Sequence, residues 1–170
     1  MLFIFDIDET ILDCNYDFDF ITQETRIITV ANTQLKVSTR PHFWDLIDYL
    51  VLHNHEIAIW TKGSEAYAKA IVYLMFSDPL KFVWSYYDCE TLPRDGIYKS
   101  DNKYKPVGKV ADYFNYPLDQ IVLVEDSPEN CIDFPENCYI VEKYQDENFA
   151  TDKELLYLKR DIEQGIYTKL

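Results

Sequence analysis

A chain of 170 residues with 48% hydrophobic and 16% aromatic side chains can bury one core, which excludes intrinsic disorder. Its net charge of −14 argues against general binding to nucleic-acid phosphates, which requires a basic face, while leaving room for a local basic pocket around a single phosphate. The longest apolar run, residues 70–76, is far too short to span a membrane, and no basic and apolar leader precedes the first strand. The expectation is an intracellular, soluble, single domain over residues 1–170. Cys14, Cys89, Cys131 and Cys138 form no CxxC pair, so they read as reduced thiols rather than a zinc site.

In chain order, Leu2–Phe5 reads as a short buried strand of a parallel sheet. Asp6 and Asp8 follow at once, and a strand period of two lets them point the same way. They sit where an open α/β sheet puts its ligand, outside the carboxyl end of a strand. Two carboxylates this close repel, so one is protonated or a cation lies between them. That suits a site where one acid attacks and the other handles protons. The same residues also suit a surface turn, and this stretch alone does not separate the two.

Residues 11–25 read as a loop. Residues 26–30 and 34–38 are β-like runs, predicted to form a hairpin around Ala31-Asn32-Thr33. Pro41 is predicted to open a helix carrying Phe43, Leu46, Ile47, Leu50 and Val51. His53-Asn54-His55 fits a polar loop better than a metal pair. Residues 56–60 form a second core strand. Thr61-Lys62-Gly63-Ser64 ends it, with Ser64 as N-cap of a helix through Met75. A hydroxyl and free N–H groups at a strand end form a phosphate cradle, although an ordinary strand–turn–helix junction has the same residues.

Residues 82–86 suggest a third strand, followed by a polar insertion. Lys105-Pro106 is predicted to begin a helix with Val107, Val110, Ala111 and Phe114 inside. A lysine in a first turn opposes the helix dipole, and an anion beside it relieves that. Lys103 and Lys109 are the nearby alternatives. Residues 121–124 are a second continuous apolar run, ended by Glu125-Asp126-Ser127-Pro128. Tyr139–Val141 is a last short strand. Residues 151–154 have a capping-box pattern before a helix with Leu155, Leu156, Leu158 and Ile162, expected to pack on the sheet. Strands alternating with helices predict an α/β fold with a doubly wound, Rossmann-like parallel sheet.

Asp6-Ile7-Asp8-Glu9-Thr10 matches the DxDxT motif of the haloacid dehalogenase superfamily. With Thr61, Tyr67-Ala68, Lys105 and Glu125-Asp126 in order, the chain resembles the branch of small C-terminal-domain phosphatases, the NLI-interacting-factor-like group. These act on phosphoserine in RNA polymerase II tails and related proteins. The resemblance implies a flap over residues 18–40, ending in Arg40-Pro41, and a short insertion over 82–104. It also implies roles. Asp6 is the nucleophile that forms an aspartyl-phosphate, and Asp8 is the general acid and base. Thr61 and Lys105 hold the phosphate. Mg²⁺ is held by Asp6, Asp126 and the backbone carbonyl of Asp8. The family usually has Asp where this chain has Glu125, which either reaches the metal through water or pairs with Lys105.

The dehalogenase branch lacks the second Asp, so Asp8 favours phosphoryl transfer. A nucleotide, sugar-phosphate or nucleic-acid 3′-phosphate phosphatase is an alternative, and a catalytically silent binding module is another. Trp84, Tyr86, Tyr87 and Tyr98 are expected to form an aromatic wall of the site. Arg94, Lys99 and Lys103 beside Asp88, Glu90, Asp95 and Asp101 keep the insertion near neutral, which favours a phosphoprotein partner over a nucleic acid.

Overall fold

The computed structural model describes residues 1–77, 79–94 and 97–170, and side chains are described outside residues 92–102. The strands and helices run β1 (Leu2–Phe5), β2 (Leu12–Asn15), β3 (Thr25–Val30), β4 (Thr33–Thr39), α1 (Phe43–Leu52), β5 (Glu56–Trp60), α2 (Glu65–Met75), β6 (Val83–Trp84), β7 (Glu90–Arg94), β8 (Ile97–Tyr104), α3 (Val107–Phe114), β9 (Ile121–Glu125), β10 (Cys138–Ile140) and α4 (Glu154–Glu163).

The central sheet has the order β10-β9-β1-β5-β6, and every pairing in it is parallel. β1 lies in the middle because all four of its side chains are apolar and fully buried. A strand buried on both faces has no use for polar alternation. Phe3 and Phe5 face a cluster with Ile57, Ile59, Val122 and Val124, covered by the buried faces of α1, α2 and α4. Leu2 and Ile4 face the opposite cluster with Ala58, Trp60, Ile121 and Leu123, covered by Val107 and Val110 of α3. Each buried Leu, Ile or Phe contributes roughly 1.5–3 kcal/mol. The expected α/β sheet with helices on both faces is therefore what forms.

Two antiparallel additions sit outside this sheet. The flap is a three-stranded sheet of order β2-β4-β3. Its β3–β4 hairpin turns at Ala31 and Asn32, with φ of 49° and 66°. Positive φ at both central residues matches the twist of a two-residue hairpin loop. The second addition is the β7–β8 hairpin, which makes up most of the expected insertion.

Several local expectations give way to tertiary context. Residues 11–25 contain β2, which pairs antiparallel with β4 from Leu12↔Thr39 onward. The β2 sequence alternates apolar Leu12 and Cys14 with polar Asp13 and Asn15, a short period-two signal that a loop reading passes over. Pro41 does not start α1, because His42 takes a left-handed conformation (φ 63°) and the helix begins at Phe43. Of residues 82–86 only Val83–Trp84 pair as a strand. Beyond them the Ser85 N–H donates to Asp88 Oδ2 at 2.8 Å and draws the chain into one 3₁₀ turn. Lys105 stands just before Pro106, the N-cap of α3, and so lies outside the first turn. The capping box at 151–154 does not form. Thr151 Oγ1 donates to the Asn148 carbonyl, and Asp152 Oδ1 accepts the Glu154 N–H at 3.3 Å instead. The four cysteines are free, and among the described residues no helix is long and apolar enough to cross a membrane.

Arg40, at the end of the flap, is 1% exposed and ties the fold together. Its Nε and Nη2 donate to the two Asp152 oxygens at 2.9 and 2.7 Å, a bidentate pair. Nη1 donates to the Thr10 carbonyl at 2.9 Å and Nη2 to the Glu142 carbonyl at 2.7 Å. One guanidinium thus joins the flap, the turn after β1 and the chain entering α4. Removing one partner of such a pair leaves a buried charge and typically costs about 3–5 kcal/mol. Arg40→Ala is expected to lower the unfolding free energy by that amount in urea denaturation, and Arg40→Lys to recover only part, lacking the planar fork. An unchanged denaturation midpoint in Arg40→Ala would show that the clamp is dispensable.

Candidate active site

Parallel register brings the motif residues together. Phe5 is paired with Ile59 of β5 on one side and Val124 of β9 on the other, so the three strands end level. Asp6 leaves β1 with its N–H donating to the Val124 carbonyl at 3.0 Å. Ile7 is driven into the core, which leaves Asp6 and Asp8 on the opposite side of the backbone. The Ile7 carbonyl accepts the Ile11 N–H at 3.0 Å, and Glu9 takes a left-handed φ of 59°, so the chain turns sharply. Thr61 follows β5, while Glu125 and Asp126 close β9.

The charges at this rim are buried and mutually dependent. Lys105, with no solvent exposure, donates to Asp6 Oδ1 at 2.5 Å and also to Glu125 Oε1. Burial alone would lower the lysine pKa, but Asp6 and Glu125 outweigh it and hold the ammonium above its ordinary range. Burial pushes Asp6 up to about 6, against the pull of Lys105. Burial, and then the Asp6 charge, push Glu125 upward against the same pull. One ammonium cannot satisfy two buried carboxylates as ions, and both acids are accordingly held above their ordinary range.

Glu125 is fully engaged: Oε1 also accepts from Asn130 Nδ2 at 2.8 Å, and Oε2 accepts the Ser127 N–H at 3.1 Å. Asp126 accepts from Thr10 Oγ1 at 3.1 Å and from Ser127 Oγ at 2.9 Å, with Lys143 Nζ at 3.4 Å. Asp6, Glu125 and Asp126 place carboxylate oxygens within 4.8 Å of one another. This all-oxygen set of carboxylates fits a hard divalent cation such as Mg²⁺. Of the two expectations for Glu125, pairing with Lys105 is what the geometry brings about.

Thr61 is buried, and its Oγ1 accepts the Gly63 N–H at 2.9 Å, so its proton is left to donate outward. Asp8 is held differently from Asp6: Oδ1 accepts the Tyr67 phenol at 2.5 Å. Burial raises the Asp8 pKa, and the Tyr67 hydrogen bond works against that rise. Lys103 and Lys109 are turned to the main chain, donating to the Cys89 and Asp88 carbonyls at 2.8 and 2.6 Å. Lys105 is therefore the lysine that faces Asp6.

Sequence reasoning missed Asn130, Lys143 and the contact of Thr10 with Asp126. Asn130 and Lys143 lie in short irregular segments with no periodic signal. The third position of DxDxT marked Thr10, but its partner lies 116 residues away. The expected aromatic wall also changes. Trp84 spends its ring on Trp60 (4.9 Å), Phe82 (4.6 Å) and Phe114 (5.8 Å), closing the α3 side of the sheet. Tyr86 lies beside the loop that follows β5, its N–H donating to the Gly63 carbonyl at 3.0 Å, and Tyr87 is 82% exposed. The side chains of Arg94, Asp95, Tyr98, Lys99 and Asp101 lie outside the described residues.

Known proteins resemble this chain in sequence and in fold. The family model for NLI interacting factor-like phosphatases matches residues 1–168. An RNA polymerase II C-terminal domain phosphatase of Encephalitozoon cuniculi is 25% identical over 167 residues, covering 96% of this chain and 37% of that one. The structure of Fcp1, an essential RNA polymerase II CTD phosphatase, superimposes with a TM-score of 0.60 at 18% identity, over 95% of this chain and 51% of that chain. Fission yeast Fcp1 bound to beryllium fluoride gives a TM-score of 0.59 at 16% identity, over 96% and 50%. The chain thus spans about half the length of those structures and 37% of the curated relative. At these identities the two structures establish the shared fold.

The acidic cluster predicts a metal-dependent stability. Mg²⁺ at about 100 times its Kd should add about 2.7 kcal/mol and raise the thermal midpoint. Asp126→Asn should remove most of that shift. A midpoint indifferent to Mg²⁺ in the wild-type protein would argue against a cation at Asp6 and Asp126.

Proposed function

We propose that this chain, which belongs to the NLI interacting factor-like phosphatase family, hydrolyses phosphomonoesters of phosphoserine or phosphothreonine proteins through an aspartyl-phosphate. The observation that carries the reading is Lys105, buried against Asp6 at 2.5 Å and against Glu125 at the end of the neighbouring strand. A binding module would have no reason to bury a lysine between two acids at the ligand end of a parallel sheet.

Each residue of the rim has a part in this chemistry. Lys105 holds Asp6 Oδ1, leaving Oδ2 to attack phosphorus. As the P–O ester bond breaks, the leaving oxygen takes a proton from Asp8. Asp8, now a carboxylate, removes a proton from water, which attacks the aspartyl-phosphate, releases inorganic phosphate and regenerates Asp6. Lys105 and the outward Thr61 hydroxyl neutralise and hold the non-bridging oxygens. Asp6 and Asp126, with the Asp8 main-chain carbonyl, would hold Mg²⁺. When bound it supplies charge neutralisation at the transferring phosphoryl group. Glu125 serves by anchoring Lys105, which is how a residue one methylene longer than the usual Asp is accommodated without loss of the site.

A protein substrate is supported by the relatives, which are named for the RNA polymerase II C-terminal domain. The charge of −14 points the same way, since a polynucleotide end would be repelled by most of the surface.

Asp6→Asn should abolish turnover of an aryl phosphate, and chelation with EDTA should do the same to the wild type. Beryllium fluoride, seen on the fission yeast relative, should inhibit the wild type and not bind Asp6→Asn. Retention of wild-type kcat by Asp6→Asn would overturn the mechanism. A second measurement addresses the substrate: a phosphoserine peptide should show higher kcat/KM than a 3′-phosphorylated oligonucleotide at equal ionic strength, and the reverse preference would refute the protein substrate alone.

Lys105→Ala should lower kcat/KM by about 2.7–4 kcal/mol, on the order of 10²- to 10³-fold, since it removes a charge-stabilising donor. Lys103→Ala and Lys109→Ala should fall well short of that. Equal losses at all three lysines would mean that overall charge, rather than the Asp6 contact, is what matters.

A further inference from the structure

We infer that Tyr67 is a positioning residue for the proton donor: its phenol fixes one oxygen of Asp8 and presents the other to the leaving group. This inference rests on the phosphatase reading above and deepens it.

The Asp8 carboxylate lies at the sharp turn marked by Glu9, outside the regular strand. Tyr67 O–H donates to its Oδ1 at 2.5 Å, and among the described residues no other hydrogen bond reaches that carboxylate. A phenol beside a carboxylate keeps its proton at neutral pH, so this bond has one direction: Tyr67 donates and Oδ1 accepts. The proton that Asp8 passes on must therefore reside on Oδ2. Without the phenol, both oxygens are equivalent and the side chain rotates, and proton transfer needs a heavy-atom separation of about 2.6–3.2 Å in the right direction.

Tyr67 itself is held on several sides. It is 9% exposed and belongs to the core cluster that includes Ile71, one turn further along α2. Its main-chain N–H donates to the N-cap Ser64 Oγ at 3.2 Å, which fixes the first turn of the helix. Its ring passes so close to the phosphate loop that a Cβ added at Gly63 would stand 2.5 Å from Cδ1. Glycine at 63 therefore makes room for the ring, and the same loop carries Thr61. The phosphate-holding residue and the holder of the proton donor are thus mounted on one strand-to-helix junction. Phenylalanine would fill the same space; what the hydroxyl adds is its hydrogen bond to Asp8, with Cys14 beside it.

The test is a leaving-group series measured as kcat/KM, which reports the steps through P–O cleavage and is blind to later hydrolysis of the aspartyl-phosphate. Proton donation matters most for poor leaving groups. Tyr67→Phe should stay within about threefold of wild type on p-nitrophenyl phosphate and fall roughly 10- to 100-fold on a phosphoserine peptide, within the usual range for general acid catalysis. The dependence of log(kcat/KM) on leaving-group pKa should become steeper. In an Asp8→Asn background, Tyr67→Phe should leave the slope unchanged, since the two act as a unit. A uniform loss across the series would assign Tyr67 to packing and overturn the inference, as would no loss at all. If the wild type turns over no phosphate ester, the proposed activity fails and takes this inference with it. Wild-type turnover with parallel slopes removes the Tyr67 role alone.

Discussion

A single ammonium group governs the rim of this molecule. Lys105 has no solvent access and lies against Asp6 and Glu125, which come from the ends of two adjacent strands. Burying such a group costs several kcal/mol unless its partners compensate, and leaving either acid unpaired would be comparably expensive. The sheet therefore has to deliver β1 and β9 in a register that ends both strands at the same level. The Lys105 N–H donating to the Asn130 carbonyl, and Asn130 in turn donating to Glu125, hold the lysine in place from the other side. Fold and site are coupled through this contact: a slip in register would separate the charges and expose them unpaired.

Glu125 is held at both carboxylate oxygens where β9 ends. Its two oxygens are taken by Lys105, Asn130 and the Ser127 N–H. Asp126 lies next to it, oriented by Thr10 and Ser127, with Lys143 at 3.4 Å. Glu125 holds the lysine, and Asp126 beside it keeps its carboxylate oxygens close to those of Asp6. The hydroxyl of Thr10 links the first motif to the fourth, so the turn after β1 and the end of β9 share an orientation.

Around this rim the flap is attached by buried polar contacts as well as by Leu35 and Val37, which join the core. Arg40 binds Asp152 and the main-chain carbonyls of Glu9, Thr10 and Glu142. Lys36 of the flap lies 2.6 Å from Asp146, both 1% exposed, and donates to the Phe20 carbonyl. Directional contacts of this kind specify where the flap sits, whereas apolar packing would tolerate a range of positions. The Gly63–Tyr67 approach is the equivalent on the other side of the site, where the shape of a loop sets the position of a ring.

The sequence by itself determined the sheet, its direction and which acids stand at its ends. Leu2–Phe5 and Ile121–Val124 are apolar without alternation, which only a strand covered on both faces can use, and the acids that follow each run mark the ligand side. The order of Asp6, Thr61, Lys105 and Asp126 along the chain carried the family resemblance, because chemistry of this kind depends on residue type at strand ends and hardly on what lies between. Tertiary structure alone decided the rest. Strand β2 carries only a four-residue apolar–polar alternation, and its pairing with β4 makes it a strand. Trp84 is drawn into the aromatic packing against α3 because that face has a single helix to cover it. Glu125 turns to Lys105, and Tyr67 to Asp8, across 20 and 59 residues of sequence. Short-range patterns encode backbone period and capping, while pairings over such distances exist only once the chain has closed around them.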